Sequence, residues 1–219
     1  MNAIPSHRHD LLDDVLFRPT TDGVAPAAVY AHARRLGQDL TGAPALRESV
    51  AGRSRAAILL GAGRAIQASG SRFSMSQVAA AAGVAKATLY NHFRTREDVL
   101  NSLLIHEIDR IIVAVSHLEL SAALTRAATA VSEHPLLEAL GAHDMQSLAE
   151  LGRVDVRTAG WARVAEATDV LLRRAGRGGT PTVLRWLSSF VVAPADEDDI
   201  RADVDILVHG LPPLRAVGG

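Results

Sequence analysis

The stretch that most constrains this fold runs from Phe73 to Leu100, where two short helix-forming segments stand on either side of one glycine. Ser74, with Gln77 three residues on, is the pattern in which two side chains satisfy the first backbone N–H groups of a helix. Val78 to Ala82 is almost all alanine, so a neighbouring helix can cross it closely, and Gly83 stops it. Val84 fills the corner, and AKATLYNHF follows as a second, more polar helix. Thr95 restarts the chain as an N-cap, with Glu97 and Asp98 placed favourably in the first turn. Ahead of this run, Arg53 to Ala68 carries a helical stripe of Ile58, Leu59, Ala62, Ala65 and Ile66, closed by Gly70. Two short helices joined by a tight glycine turn and backed by a third describe a helix-turn-helix.

The exposed face of the AKATLYNHF helix offers Lys86, Thr88, Tyr90, Asn91 and His92, groups suited to base edges and phosphates. Lys86 is the only lysine of the chain. The same pattern also fits an ordinary three-helix bundle with a solvated polar face. Charge layout separates the two readings better than the net charge of −1 does. Residues 51–100 hold seven Lys/Arg against two Asp/Glu, residues 1–50 five against six, and residues 101–219 eleven against sixteen. A basic module on an acidic remainder is the layout of a DNA-binding head on a regulatory body.

The run FSMSQVAAAAGVAKATLYNHFRTREDVL resembles the DNA-binding domain of the TetR family of bacterial transcriptional regulators. The A-G-V turn, the T-L-Y-x-H-F core and the capped fourth helix occur together in register, over about 48 residues including the first helix. The resemblance implies an all-α homodimer, usually a repressor, with a ligand-binding C-terminal body. It implies that Ser74 caps the second helix against a phosphate and that Lys86, Ala87 and Thr88 face bases. Tyr90, His92 and Arg96 fall on positions that commonly clamp the DNA backbone, and Ala85 and Asn91 complete the expected DNA-binding set. Two departures stand out: Ala85 occupies a position where a capping Ser or Thr is frequent, and Ala87 replaces a frequent glycine. Both leave the operator sequence open.

Three segments follow from these patterns: an N-terminal extension at 1–50, a helix-turn-helix domain at 51–98, and a helical regulatory and dimerisation domain at 99–215. In the extension, Leu11 to Phe17, Ala27 to Leu40 and Leu46 to Val50 have helical spacing, with loops at Pro19–Pro26 and Thr41–Pro44. An arm laying arginines in a minor groove is one reading of it. Its slightly acidic balance favours a helix packed on the body, or a leader. The fourth helix is expected from Arg96 to about His117, striped by Leu100, Leu103, Leu104, Ile108, Ile111, Ile112 and Val115. Further helices are expected at Ser121–Glu133, Pro135–Ala142, His143–Leu151 and Trp161–Ala175. The last two are expected at Pro181–Val192, capped by Thr180, and from Asp196 to Gly210. Leu184, Trp186, Leu187, Phe190, Val204, Leu207 and Val208 on these last two are the expected dimer surface, by the resemblance.

Other chemistry is weakly represented. Gly61-Ala62-Gly63 lacks the preceding strand and third glycine of a dinucleotide fingerprint, and is read as a place where helices approach closely. His106-Glu107 is followed at 110 by Arg rather than the second histidine of a zinc-protease motif. The absence of cysteine excludes disulfides and thiolate metal sites. No catalytic constellation, cofactor site or metal site is expected. With neither a membrane-length apolar stretch nor a signal-peptide pattern, the expected location is the cytoplasm. The expected partners are an operator in double-stranded DNA, a second copy of the chain, and an unidentified small-molecule effector. His106, His117 and Trp161 are the candidate effector contacts. The alternative function is a helical small-molecule-binding protein that keeps this fold without operator specificity.

Overall fold

The computed structural model describes residues 44–214. The sequence expectations for residues 1–43, including the Leu11–Phe17 and Ala27–Leu40 segments, lie outside the described residues. Helix α1 runs from Pro44 to Ser69. The Leu46–Val50 and Arg53–Ala68 segments, expected separately, are thus one helix, because no proline or turn sequence interrupts them and Gly52 is tolerated in place. A 3₁₀ turn, Gly70–Arg72, leads to α2 (Met75–Ala82) and α3 (Lys86–His92). Then come α4 (Arg96–Val115), α5 (Leu120–Ser132), α6 (Pro135–His143) and α7 (Met145–Gly152). The last three are α8 (Ala159–Arg174), α9 (Thr180–Val192) and α10 (Glu197–Gly210). The fold is all-α; among the described residues the one departure is an isolated antiparallel bridge between Arg177 and Pro213. No helix among the described residues is long and apolar enough to cross a membrane.

Two cores result. One gathers Ile58, Ile66, Phe73, Val78, Leu89, Phe93, Val99 and Leu103 from α1 to α4 and extends into the body through Leu136 and Leu140 of α6 and Leu148 of α7. The other joins α5, α8, α9 and α10 through Leu124, Leu172, Val183, Phe190, Ile200 and Val204. Each fully buried side chain of this size contributes about 1.5–3 kcal/mol over its exposed state. The head core is therefore not sealed off at α4: two body helices complete it.

Burial within the single chain divides the expected dimer surface. Leu184, Leu187, Phe190 and Val204 are buried inside the single chain, and Trp186, Leu207 and Val208 pack against the same cluster. An apolar stripe says that a face is covered, not by which chain. The apolar groups that α9 and α10 turn outward are Val192 and Ile206, the latter 74% exposed. A correction concerns the start of α9. Gly179, at φ +102°, is the N-cap, and Thr180 is already helical, its hydroxyl 3.3 Å from Asp169 Oδ1. Leu211 Cδ2 stands 2.8 Å from where a Cβ on Gly179 would lie.

Candidate nucleic-acid interface

Local hydrogen bonds set the two helices of the head. Ser74 Oγ accepts from the Gln77 N–H at 3.2 Å, and the Ser74 N–H donates to Gln77 Oε1 at 2.7 Å, closing the capping box. Gln77 Nε2 also donates to Ser69 Oγ at 3.1 Å, which ties the start of α2 to the end of α1. Gly83 takes φ +66°, and the N–H groups of Gly83 and Val84 return to Ala80 and Ala79, so the chain reverses in one turn. Behind this turn, Gly61 lets α1 touch α2: a Cβ there would lie 2.6 Å from Ala82 N. Gly63, paired with it in the sequence reading, meets nothing within 4 Å of its own Cβ position.

These constraints aim α3. Leu89 is its one fully buried residue, anchored in the head core. Lys86, Ala87, Tyr90 and Asn91, at i, i+1, i+4 and i+5, are exposed together on the opposite face, with Thr88 and His92 half-buried at its flanks. Ala85 is the N-cap and supplies no side-chain hydrogen bond. Ser74 is exposed at the start of α2, its oxygen already engaged by Gln77.

Arg96 is placed differently from a free backbone clamp. Its Nη1 donates to the Ser71 carbonyl at 2.7 Å, its guanidinium lies 5.7 Å from the Phe73 ring centroid, and Nη2 is 3.4 Å from Glu97. The side chain thus braces the first turn of α4 against the 3₁₀ turn while remaining 44% exposed. Arg55 similarly covers the Phe93 ring at 4.7 Å. Arg94, which the sequence reading passed over, is exposed in the link between α3 and α4. Its only signal was a cation between the buried Phe93 and the cap at Thr95, where Thr95 Oγ1 accepts from the Asp98 N–H and the Thr95 N–H donates to Asp98 Oδ2.

The candidate effector contacts stand in different settings. His106 is exposed on α4, and His117 is exposed beyond its end. Trp161, half-buried, donates its Nε1–H to the Leu151 carbonyl at 3.1 Å and so links α8 to α7. A half-buried polar pair in the body was missed. Glu107 on α4 faces His134, the N-cap of α6, with Nε2 3.7 Å from Glu107 Oε2. His134 Nδ1 accepts from the Leu136 N–H at 3.3 Å, which places the proton of the neutral ring on Nε2, toward the carboxylate. Burial raises the Glu107 pKa, but His134, followed by Arg110, outweighs it and holds the carboxyl below its ordinary range. The two residues lie 27 positions apart, and no local pattern joins them. Among the described residues no group of His, Asp or Glu is arranged to hold a metal ion.

Residues 58–103 match the family model for bacterial regulatory proteins of the tetR family. No curated protein matches the chain. Among solved structures, the chain is similar to a Rhodococcus sp. protein assigned to the TetR-family transcriptional regulators. The TM-score is 0.51 and the identity 22%, covering 72% of this chain and 97% of that one. It is also similar to a protein solved for the molecular basis of control of antibiotic production by bacterial hormones. There the TM-score is 0.50 and the identity 20%, over 72% of this chain and 96% of that one. At these identities the solved structures establish the fold, and the head carries the assignment. The head at residues 58–103 is thus a helix-turn-helix DNA-binding domain of the TetR type, which supports a DNA-binding transcriptional regulator.

Proposed function

We propose that this regulator is a homodimeric repressor that reads a pseudo-palindromic operator and leaves it when an effector binds the helical body. The observation that carries the DNA contact is the face of α3 opposite Leu89, where Lys86, Ala87, Tyr90 and Asn91 are exposed side by side. Lys86, Ala87 and Thr88 read base edges. Tyr90, His92 and Ser74 hold phosphates, Asn91 lies at the flank, and Ala85 admits the backbone closely. Arg96 contributes its exposed edge while bracing the head. Two such helices enter successive major grooves, about 34–36 Å apart or a multiple of it. The second copy docks on the outward faces of α9 and α10, around Val192 and Ile206, with the half-buried Trp186, Leu207 and Val208 at their edge.

Effector response is supported by the shared core: Leu136 and Leu140 of α6 belong to one buried cluster with Leu89, Phe93 and Leu103, and α6 packs on the 3₁₀ turn of the head, so a shift of α6 is felt there. The effector acts only to the extent that it binds the two head separations differently. No enzymatic role is proposed.

Selection from random double-stranded DNA with the purified chain tests this reading. An enriched palindrome supports it. Failure to enrich any sequence at moderate salt, with the protein folded and dimeric, overturns operator recognition.

A further inference from the structure

A groove of about 550 Å³ lies between α5 and α10, away from the DNA-reading face. The Ala195 N–H, just before α10, donates to Ser132 Oγ at the end of α5, so the two helices run antiparallel along it. Thr129 and Val204 form its buried floor. Thr129 Oγ1 is buried with no hydrogen-bond partner, an arrangement that costs stability unless something in the groove meets the hydroxyl.

The walls are charged in a definite order. Arg126 and Thr129 of α5 and its C-cap Glu133 recur at i, i+3 and i+7, which sets the backbone positions of the cation and the carboxylate about 10 Å apart along one face with the hydroxyl between them. On α10, Arg201 is already held by Glu197 at 2.6 Å and Asp198 at 3.0 Å. Among the described residues, Arg126, Glu133 and Asp205 make no ion pair. The guanidinium of Arg126 suits a carboxylate. Glu133 sits just past the C-terminal end of α5, where the helix dipole adds to its preference for a cation. Three carboxylates against two guanidiniums line the groove, a balance that disfavours a dianion.

We propose that this groove binds a small zwitterion with its charges at opposite ends of an unbranched chain. Its carboxylate lies against Arg126 and the Thr129 hydroxyl, and its ammonium against Glu133. The site stands on its own residues and does not depend on operator binding.

Calorimetric titration of the full chain with 6-aminohexanoate, hexanoate and hexylammonium tests it. Saturable binding of the zwitterion is expected, with each singly charged analogue at least about tenfold weaker. Arg126→Gln is expected to weaken the zwitterion and hexanoate but not hexylammonium, and Glu133→Gln to do the reverse. Thr129→Val keeps the shape of the floor, so it is expected to melt no lower than the parent while binding the zwitterion several-fold more weakly. No saturation by about 10 mM 6-aminohexanoate, or equal affinity in the parent and all three variants, overturns the proposal. DNA selection with the same preparations is a separate readout, so loss of either activity leaves the other measurable.

Discussion

Gly70 packs its α-carbon against the side chain of His143, so closely that a Cβ on the glycine would lie 2.4 Å from His143 Cβ. Gly70 is the first residue of the 3₁₀ turn of the head, and His143 is the last of α6 in the body. Its φ of +58° is one that side chains rarely adopt, so conformation and contact both demand glycine here. Gly70→Ala is expected to cost about 1–3 kcal/mol from backbone strain and overpacking together. A double-mutant cycle with His143→Gly, which removes the clashing Cβ itself, followed by urea denaturation, separates the two. The second substitution recovers the overpacking part and leaves the strain.

The crossing of α1 and α2 makes a sharper demand. A side chain at Gly61 meets backbone atoms of Ala82, which cannot rotate away. Gly61→Val is therefore expected to displace α2 and the turn after it, lowering operator affinity at least about tenfold, whereas Gly63→Ala, in open space, changes it little. Comparable affinities for the two variants in a gel-shift titration would remove the crossing as the reason for the glycine.

Leu89 is the only side chain of α3 that is fully buried. Leu89→Ala is expected to destabilise the protein by about 2–5 kcal/mol, through lost transfer energy plus a cavity. Denaturant unfolding measures this, and DNA binding should fall with it because the anchor of the reading helix is lost.

On the exposed side, Lys86→Ala is expected to weaken the preferred operator by about 1–3 kcal/mol and relax the base preference at one position. Tyr90→Phe is expected to weaken all sequences alike, since a phosphate contact carries no base information. Fluorescence anisotropy on operator and scrambled duplexes distinguishes the outcomes. Equal losses on both duplexes for Lys86→Ala would make it a phosphate contact.

Asp144 caps α7 by accepting from the Ser147 hydroxyl at 2.6 Å and the Ser147 N–H at 3.0 Å. These bonds, with the Ser71 hydroxyl, lower its pKa from 3.8 to about 2. A depressed folded-state pKa means the contribution to stability is whole above 3.8 and disappears as the pH falls through about 2. Glu107, also lowered, acts in the same direction below 4.5. Melting temperature is expected to decline from pH 5 to about pH 2. The decline should be shallower in Asp144→Asn, which still caps but does not titrate.

The sequence by itself determined what depends on a few neighbouring residues. Ser74 with Gln77, Gly83, and Thr95 ahead of an acidic turn mark α2, its stop and the start of α4, because caps and left-handed turns are settled within about four positions. The stripe of Ile58, Ala62, Ala65 and Ile66 likewise marked the buried face of α1. The body helices fell within a residue or two of their expected bounds where Pro135 and Asp196 punctuate them, and Thr180 misled because Gly179 took the cap. Only the tertiary structure decided which apolar faces meet. Leu187 and Phe190 look the same from the sequence whether their own chain or a partner covers them, and they share a core with α5, α8 and α10 of their own chain here. It also decided that Arg96 reaches back to Ser71, that Gly61 but not Gly63 lies at a crossing, and that Glu107 finds His134. Such contacts join residues 20 or more positions apart, and helical periodicity fixes the direction a side chain faces but not what it meets.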